Sequence, residues 1–161
     1  MTDNNIIDSG IPMARISSVR VIGPHTLEVL WSEGRRAGRK DILDFSPIIG
    51  GYKVLRTLRD NHDLFNSAHL IEDGDVIAWN GPDLEISADL AEELAEETMT
   101  SDDFSVFLKR NHLTQEAAAA LLGRSRRQIG YYLTSGPIPR IVALACFGYE
   151  ACVHRRKAEA A

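Results

Sequence analysis

The sequence predicts an α+β chain in two parts. An N-terminal antiparallel β-meander with hairpins and short helices precedes an all-α helix-turn-helix region. Three observations carry this. Apolar residues alternate with period two early in the chain, and the period lengthens toward 3.6 after Ser87. Gly-Pro and Asp-Gly pairs punctuate the first part as hairpin turns. The formal charge also changes sign: residues 1–100 hold nine Lys/Arg against eighteen Asp/Glu, and residues 101–161 hold nine against five, balances of −9 and +4 within a net −5. Such asymmetry predicts separate jobs for the two halves, with the basic half suited to a polyanion.

The bulk properties bound the answer. A chain of 161 residues makes one ordinary domain or two small ones. With 44% apolar and 25% charged residues it has the composition of a soluble globular protein. There is no run of about 18 apolar residues, so no membrane span is expected. The first ten residues, MTDNNIIDSG, lack a basic region followed by an apolar core, and no secretory signal is expected. Residues 1–14 read as a loose tail. Cys146 and Cys152 lie six apart in a predicted helix, on different faces, and read as buried free thiols in a reducing cytoplasm.

Taken in order, Ile16–Ile22 is β-branched and apolar, and Gly23-Pro24 breaks it. In Thr26–Trp31, Leu27, Val29 and Trp31 share one face, which completes a hairpin. Glu33–Lys40 is a basic, glycine-bearing turn, and Asp41–Phe45 a third strand with Ile42 and Phe45 inward. The meander needs a cover. Tyr52–Phe65 offers one, with Val54, Leu55, Leu58, Leu64 and Phe65 at spacings that suit short helical turns. Asp73-Gly74 then predicts a type I′ hairpin, flanked by Leu70, Val76, Ile77 and Trp79. Ser87 caps a helix from Ala88 to about Glu97, with Leu90 and Leu94 four apart. Met99–Asp103 is polar and ends it. The domains are therefore placed at 16–98 and 102–155.

In the helical part, Ser101-Asp102-Asp103 offers a cap, and Phe104, Phe107 and Leu108 form an apolar stripe. Thr114 caps an alanine-rich helix ending at Leu122, and Gly123 supplies the left-handed turn. Ser125 caps the next helix, running to about Leu133, with Ile129, Tyr132 and Leu133 inward and Arg127, Tyr131 and Thr134 on the opposite face. Gly136-Pro137 ends it. Pro139 opens a last helix through about Arg155, with Ile141, Leu144, Ala145 and Tyr149 inward.

The segment 102–152 resembles the helix-turn-helix of the Cro and phage-repressor (lambda repressor-like) class. Gln115, Ala119, Gly123, Ser125 and Ile129 match that class in identity and spacing. Two departures stand out. Arg124 occupies a position that is usually aliphatic and half-buried, and about one residue is inserted before Gly136. The resemblance implies double-stranded DNA as the partner, with Gln115 bonding a phosphate. The start of a recognition helix enters the major groove, where Arg126 and Arg127 lie. An arginine fork can bond guanine O6 and N7 together. Gln128 and Tyr131 are further candidates, Arg124 could reach a phosphate, and Ser125 and Thr134 complete the DNA-facing set.

The pattern Leu27…Glu33-Gly34…Asp41, followed by Asp73-Gly74…Ile77…Trp79, resembles a bacterial family of small α+β domains of unknown function, often encoded beside toxin-type genes. This implies dimerisation or partner binding. No enzyme is expected. The five histidines show no metal-ligand spacing, and there is neither a glycine-rich phosphate loop nor a serine elbow. His62 and His69 could meet in space, but surface histidines are the simpler reading. The sequence therefore predicts a cytoplasmic, homodimeric DNA-binding regulator without cofactor or metal. The alternative is an antitoxin-like interaction protein whose N-terminal domain binds a small protein partner.

Overall fold

In the computed structural model, residues 10–161 are described. Most of the tail predicted over residues 1–14 lies outside them. The chain divides into two compact units, Met1–Ala95 and Glu96–Ala161. The fold class is α+β: two three-stranded antiparallel sheets, followed by a helical C-terminal region. Among the described residues, no helix is long and apolar enough to cross a membrane.

The first sheet is β1 (Arg15–Gly23), β2 (Thr26–Glu33) and β3 (Lys40–Asp44), in that order. Leu27, Val29 and Trp31 are buried together, as their alternation predicts. β3 sits one residue away from the expected phase. Ile42 is 63% exposed, while Asp41, Leu43 and Phe45 face inward. Residues 42 and 45 differ by an odd number and cannot share a strand face, so one had to turn outward. Asp41 tolerates burial because its carboxylate is fully engaged. Trp31 Nε1 donates to Oδ2 at 2.7 Å, and the Arg36 guanidinium spans both oxygens at 2.6 and 2.7 Å.

The cover begins earlier than the sequence indicates. Ser46–Gly51 forms helix α1, with Pro47 in its first turn, ahead of a 3-10 turn over Lys53–Leu58 and helix α2 (His62–Phe65). Leu55, Leu58 and Phe65 are buried, but Val54 points outward. Phe65 packs against Trp79 at 5.8 Å between ring centroids, and Trp79 Nε1 donates to the Phe65 carbonyl at 3.1 Å. His62 stacks on His25 at 6.1 Å, whereas the ring of His69 bonds locally to the Ser67 carbonyl.

The second sheet is β4 (His69–Ile71), β5 (Val76–Ala78) and β6 (Glu85–Ser87). Its hairpin turn has positive φ at Asp73 (55°) and Gly74 (95°), and Asp75 N donates to Glu72 O at 3.1 Å, as a type I′ turn requires. A β-carbon at Gly74 would collide with the backbone of Ile16 in β1, so only glycine fits. Arg15 joins this turn to the first sheet through Asp75 at 2.7 Å and bonds Glu33 at 3.2 Å. The three-residue β6 falls in a stretch the sequence does not mark as a strand. Ser87 caps helix α3 (Ala88–Glu96) by accepting from Leu90 N.

The C-terminal unit comprises α4 (Ser101–Arg110), α5 (Gln115–Leu122), α6 (Arg126–Thr134) and α7 (Arg140–Ala160). Thr100, one residue before the expected cap, forms a capping box with Asp103, and Met99 is buried. Phe104, Phe107, Leu108, Ala118, Ile129 and Tyr132 form the core with one face of α7. Its fully buried residues are Val142, Ala143 and Cys146, and Tyr149 packs on Phe107 at 6.1 Å between ring centroids, as expected. Ile141 is 64% exposed and Ala145 also points to solvent, so the first part of the expected stripe is replaced by neighbouring residues. An apolar residue at almost every early position leaves the phase of this helix to its neighbours. Both cysteines are free, but only Cys146 is buried, and its burial pushes the thiol up to about 12. Cys152, expected to be buried, is exposed.

Candidate nucleic-acid interface

The interface is built around the turn between α5 and α6. Thr114 opens α5 by accepting from Ala117 N at 3.1 Å. Gly123 closes it at φ 61° and ψ 39°, in the left-handed region that a residue with a side chain adopts at a cost. Arg124 N then donates to Ala119 O at 3.0 Å, and the helix ends in a Schellman-type closure. Ser125 opens α6 with a capping box: Gln128 N donates to Ser125 Oγ at 3.2 Å, and Ser125 N donates to Gln128 Oε1 at 3.0 Å.

These caps fix the rotation of α6. Ile129 and Tyr132 are buried, with Tyr132 packed edge-on to Phe104 at 5.8 Å. Positions 127, 131 and 134, spaced i, i+4, i+7, therefore face outward. Arg127 and Thr134 are exposed there, and Tyr131 is 52% exposed. The Tyr131 ring lies over Gly136, where a β-carbon would collide with it, so the absence of a side chain there leaves room for the ring. The Thr134 hydroxyl donates back to the Gly130 carbonyl at 3.1 Å, and its outward contribution is chiefly its methyl group.

The remaining sequence-derived residues flank this stripe. Arg126, in the first turn of α6, forms an ion pair with Glu116 at 3.0 Å, both side chains being exposed. Gln128 has its carbonyl oxygen committed to the cap. Arg124 is half-buried, with Nη1 at 3.4 Å from the Gly123 carbonyl. Gln115 stands exposed as the first residue of α5, beside a groove of about 390 Å³ that Lys109, His112 and Thr114 also line.

Sequence reasoning passed over Glu116, Lys109 and His112. Ser125-x-x-Gln128 is a recognisable capping-box pattern and could have revealed the double duty of Gln128. Nothing in the spacing of Glu116 and Arg126 could have paired them. They lie ten residues apart on two helices and meet only through the way α5 and α6 cross. The α6 end is cationic in sequence, carrying Arg124, Arg126 and Arg127, of which Arg126 pairs with the Glu116 carboxylate, and backbone donors sit at two capped helix N-termini. Such an arrangement can hold an extended polyanion and present hydrogen-bond donors to it.

No family model matches the chain, and no curated protein matches it. Among solved structures it is similar to one from Nitrosomonas europaea named "Putative DNA Binding Protein", with 28% identity over 86% of this chain and 88% of that chain, and a TM-score of 0.42.

Proposed function

We propose that the chain is a DNA-binding transcriptional regulator of the bacterial cytoplasm, in which α5 and α6 act as a lambda repressor-like helix-turn-helix. The observation that carries this reading is the outward stripe of α6. Arg127, Tyr131 and Thr134 lie directly opposite the buried Ile129 and Tyr132, with Arg126 at the leading end of the helix. A helix so presented can enter the major groove by its N-terminal end. Arg126 and Arg127 read base edges, Tyr131 and the free amide nitrogen of Gln128 assist, and Gln115, Arg124, Ser125 and Thr134 sit against the backbone. One such module makes few contacts, so the regulator works as a homodimer on two half-sites about one helical turn apart.

The test is selection of duplexes from a random pool by the full-length protein, followed by titration at several salt concentrations. A selected sequence bound at least 1,000-fold more tightly than random duplex is expected, with a steep salt slope. Replacing both Arg126 and Arg127 by Ala should lower that ratio by about 100-fold, from one to three kcal/mol per arginine, without changing thermal stability. Failure to select any sequence at low salt overturns the reading.

A protein partner is the second reading, and one face favours it. The outer surface of the first sheet exposes Ile22, Leu30 and Ile42. An antitoxin-like role, with this sheet binding a small protein, would show as co-purification that is lost in Ile42→Lys.

A further inference from the structure

Between Leu113 and Gly136 the chain carries three arginines and a single acidic residue, Glu116. That carboxylate lies on the surface assigned above to DNA, where a negative charge opposes the approach of phosphate. It is spent on one partner, with Glu116 Oε1 3.0 Å from Arg126 Nη1. We infer that Glu116 is a positioning residue for base reading: it aims the Arg126 guanidinium at a base edge and keeps it off the phosphates. The inference rests on the DNA-binding reading and deepens it.

The geometry suits this role. A guanidinium offers five N–H donors in a fixed plane. A carboxylate at Nη1 leaves the Nε–Nη2 edge, which presents two parallel donors. Two parallel donors are what guanine O6 and N7 accept together. An unbraced arginine at an exposed helix end samples many rotamers and is drawn to the nearest phosphate, which carries no sequence information. Glu116 thus lowers attraction to DNA in general and raises discrimination between sequences. The plain alternative is that Glu116 merely complements the dipole of α5 from its first turn. That role would alter stability and leave sequence discrimination untouched.

The experiment compares full-length wild type, Glu116→Gln, Arg126→Ala and the double variant on the selected duplex and on random duplex across a salt series. Glu116→Gln is expected to tighten binding to random duplex and steepen the salt slope by about one, as Arg126 becomes available to a phosphate. It should also lower the specific-to-random ratio by about tenfold. In the Arg126→Ala background the same change should no longer lower the ratio. If Glu116→Gln changes both duplexes by one common factor while Arg126→Ala still collapses the ratio, the positioning role is overturned and the DNA reading stands. If Arg126→Ala leaves the ratio intact, this inference falls, and so does the assigned role of Arg126 in base reading.

Discussion

Arg36 in the first unit and the pair Arg126 and Arg127 in the second are placed in opposite ways. In Met1–Ala95, Arg36 is drawn into the fold, with its side chain 12% exposed and clamped on both oxygens of Asp41, which also takes the Trp31 indole N–H. In Glu96–Ala161, Arg126 and Arg127 stand in solvent at the start of a helix whose rotation is set by apolar contacts behind them. A buried guanidinium must be fully paired, and it then dictates the phase of the strand that supplies its partner. An exposed one contributes little to stability and stays available to a ligand. Side chains of one type therefore specify structure at Arg36 and are left open to a ligand at Arg127.

The largest expected effect breaks the buried clamp. Asp41→Ala removes the carboxylate that Arg36 and Trp31 share and should cost about 3–5 kcal/mol in chemical denaturation. A loss below about 1 kcal/mol would mean the clamp behaves like a surface pair and the contrast is false. Next is the acid limb. Burial alone would raise the Asp41 carboxyl, but its hydrogen bonds from Arg36 and Trp31 outweigh this and hold it below its ordinary value. The hydrogen bond from Arg15 likewise lowers Asp75, and that from Arg110 lowers Glu150. A depressed folded pKa means that the unfolded chain binds more protons. The stability so gained is complete above the unfolded carboxylate range, about pH 4, and is lost as pH falls through the folded values. Thermal scans between pH 5 and pH 2 should show a shallower fall in melting temperature for Asp41→Asn than for wild type. Equal slopes would remove Asp41 from the acid response.

The smallest effect falls on the turn of the second unit. Gly123→Ala meets no steric obstacle but must adopt φ 61°, at a cost of about 1–2 kcal/mol. Binding to the selected duplex should weaken along with stability. A stability loss with unchanged affinity would show that the turn shapes the fold and not the interface.

Legibility from the sequence differed between the units for physical reasons. Leu27, Val29 and Trp31 were readable because a half-buried strand writes its period into the chain. β3 was misphased because a buried Asp41 contradicts that code, and only its partners Arg36 and Trp31 make it tolerable. α1 and β6 were missed because six residues ending in two glycines, and three residues between turns, carry too little period to read. In the second unit the caps at Thr114 and Ser125 and the turn at Gly123 were legible, since capping is local chemistry. The face of α7 was legible at Tyr149 but not at its start, because Ile141, Val142, Ala143 and Leu144 permit several rotations, and packing against Phe107 and its neighbours selects one.

By itself, the sequence determined the two-part α+β plan, the hairpin turns, the start and stop of α5 and α6, and the outward stripe of α6. All of these follow from interactions within about one helical turn or one strand pair. Tertiary structure alone decided that Asp41 faces inward to meet Arg36, that Ile141 faces outward, and that Glu116 reaches Arg126. The last two depend on how separate elements cross, and crossing geometry is set by packing that no local pattern encodes; the first is a polar clamp within one hairpin, which hydrophobic alternation does not register.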